Sequence, residues 1–207
     1  MRSTPAAFIM SGALAVTVAF AAAGAADARQ ADRPHAGHAP ERPRPPMGMM
    51  RATPGQTAQV SIVNGQGADI GKATLTQGAT GLLIRVEATG LTPGWHGIHI
   101  HATGQCEAPF TSAGAHINHG DPKKPHGLLN AEGPDDGDLP NVFADAAGAV
   151  NAEVFTSHAR LAQNGPGQWL LDADGSALVI HANPDDHSSQ PIGGAGDRVA
   201  CAVIKAP

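Results

Sequence analysis

The stretch Trp95-His-Gly-Ile-His-Ile-His101 places His99 and His101 two residues apart. Alternate residues of a β-strand leave the same face about 6.6 Å apart, so the two imidazoles can converge on one metal ion. His116, His126 and His181 follow, each beside Gly, Pro or a short apolar run. A single histidine on a strand is usually a satisfied core or surface group. Five in this order point to a transition-metal site. His158 and His187 stand outside the pattern and read as ordinary groups, and His96 reads as a structural donor within its loop.

The elements that must position these histidines are strands. Gln59–Val63, Leu82–Ala88, Gly97–His101, Ala149–Phe155, Ala177–His181 and Val199–Ile204 are short and rich in β-formers, several with apolar alternation. Turn signals such as Gly65-Gln-Gly67, Gly90-Leu-Thr-Pro-Gly94 and Asp145-Ala-Ala-Gly148 separate several of them. Short strands at such spacing predict an all-β sandwich or barrel. No long helical period is present; the nearest, Thr156 to Gln163, is short and precedes Asn164-Gly-Pro-Gly167. Two stretches, Ala102 to about Pro140 and Ala182 to Asp197, are too long for tight turns. Long loops in a compact domain are usually functional or disordered, and these carry most of the remaining histidines and acids.

Arg2, the uncharged Ala- and Val-rich run Ala6–Ala23 and the Ala26-Asp-Ala28 site read as a secretory signal peptide over 1–28. The expectation is an exported protein, periplasmic or secreted, with no stable membrane insertion after cleavage. Residues 29–53 hold Pro34, Pro40, Pro43, Pro45 and Pro46 with almost no branched apolar residues, the composition of a disordered linker. His35, His38, Met47, Met49 and Met50 make this arm either a plain spacer or a copper-capture segment, since thioethers favour Cu(I). The remainder, 54–207, is one domain's length. It has seven Lys and Arg against fifteen Asp and Glu. That acidity argues against nucleic-acid binding, which needs basic phosphate contacts. In an exported chain the lone pair Cys106 and Cys201 most simply forms a disulfide; their separation lacks the close spacing of a zinc thiolate site.

From Gln59 to Lys205 the chain resembles the copper/zinc superoxide dismutases, most closely their bacterial exported branch. The resemblance is carried in order by Gly97-Ile-His-Ile-His101, Cys106, Ser112-Ala-Gly-Ala-His116, Pro125-His-Gly127, Gly137-Asp-Leu-Pro-Asn141, Val179-Ile-His181 and Gly196-Asp-Arg-Val-Ala-Cys201. It implies an eight-stranded Greek-key β-barrel with two long functional loops and the site outside the barrel. It further implies copper on His99, His101, His116 and His181, and zinc on His116, His126, Asp138 and one more residue. His116 would bridge the metals and carry a proton, and Arg198 would attract superoxide. Asp185 would link a ligand of each metal, and Cys106 would pair with Cys201. The implied reaction converts superoxide to oxygen and hydrogen peroxide, by a monomer or homodimer. Imidazoles suit Cu(II), and a mixed imidazole–carboxylate set suits zinc.

The chain departs from the family where a third zinc histidine is usual: Asp135 stands there, in Pro134-Asp-Asp-Gly-Asp138. Asp135 itself can complete the zinc site, an ordinary role for a carboxylate. Alternatively His119 swings in, or zinc binds weakly and leaves a copper-only site. A non-enzymatic copper-binding or metal-buffering protein on the same fold is the rival function. An anion-guiding Arg198 has no use in such a protein.

Overall fold

The computed structural model describes residues 54–206. The expected leader over 1–28 and linker over 29–53, with its His35, His38, Met47, Met49 and Met50, lie outside them. Eleven strands follow in order: β1 Thr57–Asn64, β2 Asp69–Gln77, β3 Leu82–Ala88, β4 Gly94–His96, β5 Ile98–His101, β6 Val142–Ala144, β7 Val150–Thr156, β8 Ala159–Arg160, β9 Gln168–Trp169, β10 Ser176–His181 and β11 Arg198–Ile204. The helical content among the described residues is one 3-10 turn, Thr111–Ala113. The segment nearest to a helical period instead runs from the end of β7 through β8.

Seven strands form one antiparallel sheet in the order β5-β10-β11-β1-β2-β3-β7, and β4 pairs with β6. β4 and β5 are one strand interrupted at Gly97. A Cβ there would stand 2.9 Å from the Ala195 side chain. Counted that way, eight strands build the all-β barrel, and the parallel pair β8–β9 is an addition. β4 continues into β5 and β6 runs into β7 through the Asp145 turn, so the ribbon links the two ends of the sheet order. Asp145 Oδ1 accepts the N–H groups of Ala147 and Ala149 and fixes that turn. β2 is the long strand with the weakest sequence signal: Gly71 and Lys72 interrupt an alternation that its neighbours β1 and β3 impose by pairing.

The alternation of β5 sorts its side chains. Ile98 and Ile100 enter the main core with Leu75, Ile84, Leu139, Leu178 and Ile180. His99 and His101 leave the other face, yet are as buried as the isoleucines, because loops cover them. β10 behaves alike: Leu178 and Ile180 face the core, while Ala177 and Val179 pack outward on Phe110, Ala113 and Cys201. The pairing register sets Ala177 opposite His101 and Val179 opposite His99, so His181 ends the same outer row. A register shift between Ile180 and His181 brings Arg198 opposite His181.

The loop over 102–141 pairs with the second edge of β5. Ile117 N–H donates to the Ile100 carbonyl at 3.0 Å, and Ile100 N–H donates to the Gly137 carbonyl at 2.9 Å. This brings His116 alongside His101 and Asp138 alongside His99. A Cβ on Gly137 would lie 2.3 Å from the Ile100 carbonyl oxygen, so only glycine permits the approach. The Cys106–Cys201 disulfide, with Cα atoms 5.7 Å apart, ties this loop to β11. Replacing both cysteines by alanine is expected to cost about 2–5 kcal/mol, measured as a lower urea midpoint of the purified protein. An unchanged midpoint would show that pairing with β5 alone holds the loop.

Candidate metal centre

His99, His101, His116 and His181 form one group whose donor atoms all lie within 4.8 Å of one another, and His116, His126, Asp135 and Asp138 form a second on the same criterion. His116 belongs to both. A third grouping, His99, His126, Asp138 and Asp185, crosses between them. All eight residues are buried. Among the described residues, the structure therefore brings together every histidine and aspartate that the sequence assigned to copper, to zinc or to the link between them, with one exception. His119 is exposed, bonds to Gln168 Oε1 at 3.0 Å and joins neither group.

Each imidazole has one nitrogen tied to an acceptor, and the tie selects the nitrogen left over. His101 Nδ1–H donates to the Gly114 carbonyl at 2.9 Å, and His181 Nδ1–H donates to the Gly196 carbonyl at 3.0 Å. His99 Nε2–H and His126 Nε2–H donate to the two oxygens of Asp185, at 2.8 and 3.1 Å. What remains is His99 Nδ1, His101 Nε2, His181 Nε2 and His126 Nδ1, together with His116 Nε2 and Asp138 Oδ1. All six are buried and lack a hydrogen-bond partner. Buried polar atoms are seldom left this way. Six converging lone-pair donors fit a pair of metal ions, and the donor chemistry sorts them: imidazoles on one side suit copper, imidazole and carboxylate on the other suit zinc.

The carboxylates are oriented by the backbone. Asp138 Oδ2 accepts Gly127 N–H at 2.7 Å and Asp135 N–H at 3.0 Å. Its Oδ1 faces His126 Nδ1 at 2.5 Å and His116 Nδ1 at 3.6 Å. Asp135 Oδ1 accepts Gly137 N–H at 2.9 Å, leaving Oδ2 at 3.0 Å from His116 Nδ1. Asp135 thus occupies the place the sequence leaves open, its free oxygen turned to the shared imidazole.

The two halves differ in charge. Burial holds His99 and His181 down to about 4, against partial support from Asp185 and the Gly196 carbonyl respectively. Burial, with His116 nearby, pushes His101 to about 2. These three rings are neutral at pH 7, with lone pairs available. Burial would also lower His126, but Asp138 and Asp185 outweigh it and raise the ring to about 10. His116 is raised for the same reason by Asp135 and Asp138, again against burial. Burial would raise Asp138 and Asp185. The close approach of the His116 and His126 rings to the first, and hydrogen bonds from His126 and His99 to the second, instead hold both below the usual carboxylate range. Protons and a cation thus compete for the same lone pairs in the carboxylate half.

Arg198 lies at the edge of the imidazole group. Its Nη1 donates to the Phe110 carbonyl at 2.6 Å and its Nη2 to the Gly114 carbonyl at 2.7 Å. The Gly114 carbonyl also accepts from His101, so one oxygen sets both the arginine and a metal-facing ring. His96 is wedged between carbonyls, Nδ1 at 2.6 Å from His181 O and Nε2 at 2.7 Å from Thr92 O. That is the structural role the sequence suggests. Gln190 and Asn141 are functional neighbours that sequence reasoning did not find. Gln190 clamps the His126 backbone through both its N–H and its carbonyl. Asn141 does the same to Asp185. Asn141 lies within the Gly137–Asn141 motif, which was a signal; Gln190 had none.

Residues 70–204 match the family described as copper/zinc superoxide dismutase (SODC). A Caulobacter vibrioides protein named superoxide dismutase [Cu-Zn] is 53% identical over 150 residues, covering 72% of this chain and 86% of that one. Superoxide dismutase [Cu-Zn] 1 of Aquifex aeolicus is 47% identical over 146 residues, covering 70% of this chain and 85% of that one. The crystal structure of a SOD-like protein from Bacillus subtilis superposes with a TM-score of 0.65 at 33% identity, covering 72% of this chain and 99% of that one. The matched span takes in β3 to β11, both loops and every residue of the two groups, and the chain belongs to the copper/zinc superoxide dismutase family.

Proposed function

We propose that this protein is an exported superoxide dismutase that holds copper on His99, His101, His116 and His181, and zinc on His116, His126, Asp135 and Asp138. The six buried donor atoms without partners carry this reading. Copper, when bound, supplies the one-electron redox cycle by which two superoxide anions and two protons become dioxygen and hydrogen peroxide. The Cys106–Cys201 disulfide suits an oxidising compartment, in accord with a leader over 1–28.

The chain's own residues supply anion capture and proton handling. Arg198 spends one N–H on each of two carbonyls. Guanidinium has five donors in a fixed fork, so others stay available to a small anion. On a domain with this excess of acids, a fixed positive charge at the site raises the encounter rate with superoxide. His116 turns both ring nitrogens inward, Nδ1 to the carboxylates and Nε2 to the other imidazoles. A proton taken up at Nε2 stands beside the rings where the anion would bind, and His116 is the residue that delivers it. Asp185 keeps His99 and His126 in the tautomers that leave Nδ1 of each free.

The deciding measurement is superoxide dismutation by the protein loaded with both metals; absence of activity favours the metal-buffering alternative. Arg198→Ala is expected to lower kcat/KM at least tenfold at low salt and to flatten its dependence on ionic strength, while copper content stays constant. Equal rates in the two proteins would remove the role given to Arg198. Asp135→Ala is expected to weaken zinc by more than the about 10- to 100-fold that losing an outer partner costs, with copper retained after dialysis. Asp135→His should restore zinc. If Asp135→Ala keeps one zinc per chain, the fourth zinc ligand lies elsewhere.

A further inference from the structure

His187 lies two residues beyond Asp185 and takes a left-handed backbone, φ 60°. Non-glycine residues are uncommon there, although His and Asn are enriched. Neighbours over-determine this conformation. His187 N–H donates to Asp185 Oδ1 at 2.6 Å, and Leu129 N–H donates to the His187 carbonyl at 3.0 Å. The same carbonyl oxygen lies 2.3 Å from where a Cβ on Gly127 would stand. The loop that carries Asp185 is thus locked onto the segment that follows His126, and the backbone aims the His187 ring.

Asn141 then determines the tautomer of that ring. Asp185 N–H donates to Asn141 Oδ1 at 2.9 Å, which identifies that atom as the oxygen, since an N–H needs an acceptor. The other arm is the NH2. It donates to the Asp185 carbonyl at 2.8 Å and faces His187 Nε2 at 3.2 Å. Nε2 must accept, so the ring proton sits on Nδ1. That atom is buried, has no hydrogen-bond partner and stands 3.4 Å from Asp185 Oδ2. Oδ1 already accepts from His126 and the His187 backbone; among the described residues Oδ2 accepts only from His99.

We propose that His187 is a positioning residue for the metal centre, a third imidazole beside Asp185 whose buried, otherwise unpartnered Nδ1–H lies 3.4 Å from Oδ2 and supports that oxygen electrostatically. With Asn141 holding the Asp185 backbone and His187 holding its carboxylate, the two oxygens stay apportioned between His99 and His126. The inference rests on the assignment of those two rings as metal ligands. Outer groups of this kind set ring orientation and tautomer, and their loss typically costs 10- to 100-fold in metal affinity.

The test strips metals from the full-length protein and titrates it with cobalt(II), whose visible spectrum reports the zinc-side geometry, and then with copper(II) followed by EPR. His187→Gly removes the ring and relieves the left-handed backbone. His187→Leu removes the donor but keeps bulk. His187→Asn carries an N–H2 on Cγ, the position of Nδ1, and tolerates the backbone. Cobalt affinity should fall about tenfold in the Gly and Leu variants, with an altered visible spectrum. The Asn variant should keep the wild-type spectrum and stay within that tenfold margin. Because the Gly variant meets no steric or backbone obstacle, it carries the test where the Leu variant does not fold. A Gly or a folded Leu variant that binds cobalt like the wild type overturns the proposal, as does an Asn variant as weak as Gly. Wild-type protein that fails to hold cobalt beside copper overturns the ligand assignment as well.

Discussion

One nitrogen of each imidazole in the metal centre is spent on an acceptor, and that hydrogen bond decides what the other nitrogen can do. A neutral ring has one N–H and one lone pair. Once the N–H is directed at a carbonyl or carboxylate, the lone pair points the opposite way with no freedom left. The Gly114 and Gly196 carbonyls do this for His101 and His181, and Asp185 does it for His99 and His126. The acceptors come from three places in the chain, so the centre exists only when loops and barrel are all in register. The loops are accordingly tethered at their working points: by pairing with β5, by the disulfide, and by the Asn141 and Gln190 amides on the backbones of Asp185 and His126.

The barrel's contribution follows from the two-residue period of a strand. Ile98 and Ile100 cannot enter the core unless His99 and His101 leave the opposite face, and the same holds for Leu178 and Ile180 against Val179 and His181. Apolar burial of the isoleucines and leucines, at about 25 cal/mol per Å2, thus fixes where the histidines point. A one-residue slip of β5 would exchange the two sets. It would put imidazoles into the apolar core and isoleucines under the loops, so the hydrophobic driving force that holds the register also holds the donor geometry.

Much of this was legible in the residues. The alternation at 97–101 and 177–181, the turn signals and the two long loops read correctly, because each signal is local. The order of motifs then identified the ligand candidates, and the geometry collects them, Asp135 included. β2 was not legible, since Gly71 and Lys72 blur its alternation and its strand character comes from its partners β1 and β3. His187 was read as an ordinary group, and Gln190 gave no signal at all. Both act through the backbone fold of the 182–197 loop, where a positive φ at His187 and the approach to Gly127 decide contacts that no spacing rule encodes. The exclusion of His119 is likewise tertiary: it is drawn to Gln168 on β9 rather than inward.

Asp135, standing where the family resemblance leads one to expect a third zinc histidine, bears on the charge of the carboxylate half more than on its shape. Asp135 and Asp138 both turn an oxygen toward His116, so before any metal arrives the shared imidazole is held by two anions. The metal-free protein answers with protons, raising His116 and His126. A divalent cation entering this pocket replaces those protons and meets one more negative charge than a three-histidine site would offer. Its attraction is stronger in the low-dielectric interior than it would be in water, but it must displace protons that the same carboxylates hold more firmly. Metal uptake by the zinc half is therefore tied to proton release more tightly than in the imidazole half. There burial keeps His99, His101 and His181 neutral and their lone pairs open.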